Sequence, residues 1–209
     1  TYSEVIAYLA RWLPAPPRYM EVGVSIGMNF LPLCRQFSAG TLLALDVEAP
    51  FPTLRAALHP RGQIAAWPGT VIDRHGHEQA ADFAVDRFTL SEAFRQRYPL
   101  PAEAGPDIYY ARADLFESQS WSRLRPATGG RPFNVIFSDA WHRPYALRHE
   151  YARLIETDLI DPEAFLLVWD DLGGAMTTAF LEIFRDLKGR YGPGVHGGLL
   201  EVYGTYHVT

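Results

Sequence analysis

Apolar residues recur at helical spacing from the start of the chain. Val5, Ile6, Leu9, Trp12 and Leu13 follow Ser3 and Glu4, and Pro14-Ala-Pro-Pro17 stops the pattern. The period predicts an amphipathic opening helix. From Arg18 the pattern changes, and Arg18 to Gly23 (RYMEVG) reads as a short strand running into glycine. Met28 to Gln36 resumes a helical period, with Pro32 tolerated only in the first turn. After Gly40 the run Thr41 to Leu45 is continuously apolar and leaves Asp46 at its carboxyl end. Strand, glycine turn, helix and strand in this order make a βαβ unit, its two strands parallel through a right-handed crossover.

The stretch from Ala49 to about Gly105 carries six of the sixteen prolines and no sustained period, so an insertion or lid is expected at about 50–105. Inside it Leu90 to Tyr98 looks helical, with Ser91 as a cap. Asp107 to Ala113, Phe133 to Phe137 and Ala164 to Trp169 read as strands, the last two as continuous apolar runs. Leu147, Tyr151, Leu154 and Ile155 give Arg143 to Leu159 a helical face. A second helix is expected over Met176 to Lys188, before a glycine-rich turn into Leu199 to Val208. Alternating strands and helices with apolar strands imply one α/β domain: a Rossmann-like, doubly wound, mostly parallel sheet with helices on both faces.

Composition narrows the partners. The chain has 209 residues, 48% of them apolar and 21% charged, enough for a sizeable core. Net charge is −5 and the basic residues are scattered, which argues against nucleic acid and acidic membrane surfaces and for a small-molecule partner. The longest uncharged stretch, Val22 to Cys34, is well short of the roughly 20 apolar residues of a membrane span. Cys34 is the only cysteine, and no signal peptide opens the chain, so a reducing cytoplasm is the expected compartment. The opening helix can pack on its own domain or on a second copy, which leaves a homo-oligomer open.

Candidate chemistry begins at Glu21-Val-Gly23-Val-Ser25-Ile-Gly27, where the first strand meets the first helix and open α/β sheets bind ligands. The glycines let backbone approach a ligand, and the N–H groups of the following helix offer hydrogen bonds. A dinucleotide site needs G-x-G-x-x-G, and this loop is G-x-S-x-G. The same spacing is that of a nucleophile elbow, which would make Ser25 the nucleophile of an α/β-hydrolase. Only 22 residues precede Gly23, too few for the strands such an elbow follows. A non-catalytic nucleotide-binding module is a further alternative.

EVGVSIG and, about twenty residues on, ALDVE resemble the first two motifs of class I S-adenosylmethionine-dependent methyltransferases. The resemblance implies that Gly23, Ser25 and Gly27 line the cofactor, that Asp46 binds its ribose diol, and that Glu21 helps hold its methionine end. Asp114, in YARADLF, stands where that family places a residue near the adenine; a helix cap before Leu115 is the structural alternative.

FNVIFSDAWHRPYALRHEY and AFLLVWDDLGG resemble the later half of the catechol-type and sugar or macrolide O-methyltransferases. That likeness implies a Mg²⁺ site from Asp139, Asp170 and Asp171, which are hard oxygen ligands following strand ends. Asp171 stands where the catechol-type enzymes usually carry Asn. His142 stands where they carry a lysine, and is expected to be the general base of methyl transfer to a small-molecule hydroxyl. Strand-end Asp residues also cap helices, so Asp139 and Asp171 have that role as a bland alternative. Trp141 is expected either to pack or to wall the pocket, and His149 to face solvent. The cluster Asp73-Arg-His75-Gly-His77-Glu78 matches no standard zinc spacing and is expected to be a solvated loop.

Overall fold

A computed structural model describes residues 1–72, 77–99 and 105–200. Strands β1 (Arg18–Val22), β2 (Thr41–Asp46), β5 (Asp107–Arg112), β6 (Val135–Ser138) and β7 (Leu166–Trp169) are all parallel to their neighbours in this group. Two long strands, β3 (Leu58–Ile72) and β4 (Glu78–Leu90), add an antiparallel hairpin at one edge. The sheet order is β3-β4-β5-β2-β1-β6-β7. Its direction of winding reverses at β1, between β2 and β6, which is where an open sheet leaves a crevice beyond its strand ends.

Period-two alternation within the strands feeds two cores. Tyr19, Leu42, Ala44, Ile108, Val135 and Phe137 face one layer, built by α1 (Tyr2–Ala10), α2 (Phe30–Gln36) and α3 (Pro52–Ala57). Met20, Leu43, Leu45, Ala111, Ile136 and Trp169 face the other, built by α5 (Ser118–Ala127), α6 (Pro144–Glu156) and α7 (Ala175–Tyr191). The result is the expected α/β, Rossmann-like doubly wound sheet, mostly parallel and covered on both faces. Among the described residues no helix is long and apolar enough to cross a membrane.

Several elements differ from expectation for local reasons. The opening helix starts two residues early, at Tyr2, because Thr1 and Glu4 form the capping box, and it ends at Ala10, leaving Trp12 outside and exposed. Helix α4 (Glu92–Arg97) has the expected cap, the Ser91 hydroxyl accepting from the Phe94 N–H at 3.3 Å. The segment expected to be an insertion is a hairpin whose outer strand holds Pro60 and Pro68, residues that an edge strand accepts because one of its sides has no partner to bond. Beyond the last β4–β5 pair, Ala84 with Arg112, the hairpin continues for six residues on β4. At the usual strand rise it overhangs the carboxyl edge of the parallel strands by about 20 Å. His75 lies outside the described residues, as does nearly all of the run from Leu199 to Val208, and His77 is exposed.

Candidate functional site

The turn after β1 depends on three residues with positive φ: Gly23 (+81°), Ser25 (+49°) and Gly27 (+84°). The Gly23 N–H donates to the Leu45 carbonyl at 2.8 Å, and a Cβ at Gly23 would stand 2.5 Å from the Ala140 Cα and 2.7 Å from the Asp139 oxygen. Only glycine lets the first loop lie against the loop that follows β6. The Ser25 N–H donates to Asp46 Oδ2 at 2.8 Å, while Asp46 Oδ1 accepts from the Glu48 N–H at 3.1 Å. Asp46 thus straps the glycine turn to the end of β2 and stays half-exposed, with lone pairs left for a ligand. Helix α2 starts only at Phe30 and has seven residues, so its N-terminus stands off from Gly27 rather than opening directly on it.

Glu21, one residue before the end of β1, is buried and accepts from the Tyr19 hydroxyl at 2.5 Å. Burial pushes its carboxyl up to about 8; the Tyr19 bond pulls the other way, and the negative charges of Asp139 and Asp46 add to the rise. The carboxyl therefore senses both loops of the crevice.

Across the switch point the Asp139 N–H donates to the Val22 carbonyl at 2.9 Å and the Asp170 N–H to the Ser138 carbonyl at 3.0 Å, so both residues continue their strands. Neither Asp139 nor Asp171 caps a helix: α6 follows Arg143 and α7 follows Gly174. Both carboxylates instead meet His142, with Nε2 3.0 Å from Asp139 Oδ1 and Nδ1 3.1 Å from Asp171 Oδ2. A neutral imidazole has one N–H to give, so it can donate to one of these carboxylates at a time. The Asp139 carboxyl is raised by burial and by nearby Asp170, an effect that His142 opposes. The Tyr2 hydroxyl is raised in pKa by the neighbouring Asp170 side chain first, then by burial and by the charges of Asp171 and Asp139.

Asp114 is buried, and its Oδ1 accepts from the Phe116 N–H at 2.8 Å. It closes a turn rather than capping a helix, since α5 begins at Ser118 behind its own cap, Glu117. Phe116 meets Trp141 (ring centroids 5.6 Å apart), Tyr145 (6.1 Å) and His149 (5.0 Å). Trp141 and Tyr145 are each about half exposed, giving an aromatic shelf beside His142. His149 is half-buried against Phe116, contrary to the expectation that it faces solvent; burial and Arg153 lower its pKa.

Sequence reasoning did not single out Tyr2, Phe116, Tyr145 or Glu150. Glu150 is the most deeply placed of these. It is buried on α6 and accepts from the Ser138 hydroxyl at 2.6 Å and the Trp169 N–H at 3.0 Å. A charged residue on the apolar stripe of a helix was the available signal, since Glu150 falls between Leu147 and Leu154 on the α6 face turned to the sheet.

The expected Mg²⁺ ligands do not form a matching donor set. Asp139 and Asp171 both turn to His142, and among the described residues no group of three or more acids, histidines or cysteines could hold a metal ion. Ser25 gives its N–H to Asp46, and among the described residues no hydrogen bond joins it to a histidine, as a hydrolase nucleophile would require. Comparison of the chain with protein-family models, with curated proteins and with solved structures gives no match.

Proposed function

We propose that the protein is an S-adenosylmethionine-dependent methyltransferase acting on a hydroxyl of a small molecule. One observation carries the reading. The glycine turn after β1, the acid ending β2 and the Asp139–His142–Asp171 group converge at the carboxyl edge of the parallel strands, on the two sides of the switch point. The available groups suit the cofactor's parts: Asp46 has lone pairs for a ribose diol, Asp114 keeps one oxygen for an exocyclic amine, and Glu21 is a carboxyl for an ammonium.

Bound S-adenosylmethionine supplies a methyl group on a sulfonium. In this reading Asp139 accepts the Nε2 proton and fixes the tautomer of His142, which leaves the Nδ1 lone pair for the acceptor. Asp171 is the carboxylate that yields, because its side chain is 66% exposed and it lies beyond the end of β7, at a positive φ of 51°. As the acceptor oxygen bonds to the methyl carbon and the carbon–sulfur bond breaks, His142 Nδ1 takes the hydroxyl proton. The shelf of Phe116, Trp141 and Tyr145 favours a planar or apolar acceptor, and the surrounding carboxylates disfavour an anionic one. Because Asp139 and Asp171 are already engaged by His142, no step is assigned to Mg²⁺.

Calorimetric titration with S-adenosylmethionine and S-adenosylhomocysteine tests the reading. Both are expected to bind, and Asp46→Ala to weaken binding by about tenfold or more, the worth of hydrogen bonds to a charged group. Folded protein giving no heat with either compound would overturn it.

A further inference from the structure

We propose that Glu150 is the positioning residue of this site: its buried carboxyl ties the ends of β6 and β7 to helix α6 and so sets where Asp139, Asp170 and His142 stand. Its two oxygens take one donor each, Oε2 from the Ser138 hydroxyl at 2.6 Å and Oε1 from the Trp169 N–H at 3.0 Å. Ser138 and Trp169 are register partners and the last residues of their strands, so the next residues are Asp139 and Asp170. The loop carrying His142 leaves from Ser138 and enters α6 at Pro144, and Glu150 fixes the helix against the loop's starting point. One side chain thus holds three members of the site without touching any of them.

A packing role alone is a poor account of a carboxyl here. An indole N–H can only donate, and burial opposes charge so strongly that the Glu150 carboxyl is pushed up to about 7 despite both hydrogen bonds. A leucine or methionine would fill the volume with no desolvation cost, whereas a satisfied polar network fixes a single geometry. The catalytic half of the inference rests on the methyl-transfer reading; the geometric half does not.

Imidazole ¹H–¹⁵N spectra of His142 in the cofactor-free protein, together with kcat and KM, test both halves. Glu150→Gln keeps the tie, its amide oxygen accepting from Trp169 and its NH₂ donating to Ser138; His142 signals should match wild type and kcat should stay within about threefold. Glu150→Ala, shown folded by circular dichroism, should shift the His142 signals and lower kcat by about ten- to a hundredfold, with KM for S-adenosylmethionine little changed. If that variant does not fold, Trp169→Phe, which removes one donor and keeps a ring, should shift the same signals. Unchanged His142 signals in folded Glu150→Ala, or in Trp169→Phe if the alanine variant does not fold, would overturn the proposal. Loss of the wild-type signals in Glu150→Gln would do the same. If wild-type protein shows no methyl transfer at all, the methyl-transfer reading fails while the spectra still decide whether Glu150 holds the site.

Discussion

At the scale of single residues the crevice is acidic, and Glu21 makes that measurable. With its carboxyl pushed up to about 8 by burial, the free protein holds a proton there near neutral pH. If the proposed methyltransferase reading holds, seating the cofactor's ammonium beside it favours the ionised form, so binding near pH 7 should release about one proton. Calorimetry in buffers of different ionisation enthalpy reads that release, and Glu21→Gln should abolish it; equal heats in every buffer would contradict the assignment. The strand-end acids give a second measurement. Titrating Mg²⁺ into labelled protein should leave the His142 imidazole signals in place, because Asp139 and Asp171 are occupied by that ring. Displacement of His142 by the ion would restore the metal reading. The places of Asp46, Asp139 and Asp170 were legible because each follows or ends an apolar run at a predictable strand terminus. The pairing of His142 with two carboxylates was not, since it depends on which way a five-residue loop turns after Ser138.

Between residues and the whole lie the elements, and here sequence period succeeded wherever burial is continuous. β1, β2 and β6 are short runs buried on both faces, and β5 and β7, though only partly buried, keep enough apolar residues to read as strands. β3 was hidden because it is an edge strand whose prolines and glycines read as turn residues, and its bulges near Pro60 and Gln63 break the alternation. Helix α5 was hidden for the opposite reason: Ser118–Ala127 is mostly polar and buries only Ser120, Trp121 and Leu124. Trp121 carries that helix. It is fully buried, and its N–H donates to the Leu115 carbonyl at 3.1 Å, tying α5 to the turn that holds Asp114. Trp121→Ala should therefore cost about 3–5 kcal/mol in urea unfolding, as large aromatic truncations in packed cores do. Trp121→Phe should lose mainly the hydrogen bond, about 1 kcal/mol.

For the molecule as a whole, the two buried acids set the direction in which stability responds to pH. Both carboxyls are raised above their ordinary value of 4.5, Glu150 to about 7 and Glu21 to about 8, burial being the main cause. The folded state then holds protons that the unfolded chain releases. The stability these groups contribute is full below about pH 4.5 and is lost as pH rises through about 7 and 8, roughly 1.4 kcal/mol for each unit of displacement. Denaturant midpoints measured from pH 5 to 9 should fall across that window. Glu150→Gln and Glu21→Gln should each flatten the curve; a wild-type curve that rises with pH there would contradict the burial of these charges.

The contact of Gly23 with Ala140 reaches further than one turn. No side chain fits between the two loops, so stretches of chain far apart in sequence form a single mechanical part. Directed evolution that randomises the loop carrying Trp141 and His142 should yield working variants mainly when the Gly23 turn is left intact. If the proposed function holds, a new acceptor preference would then have to be written into the aromatic shelf and not into the glycine contact.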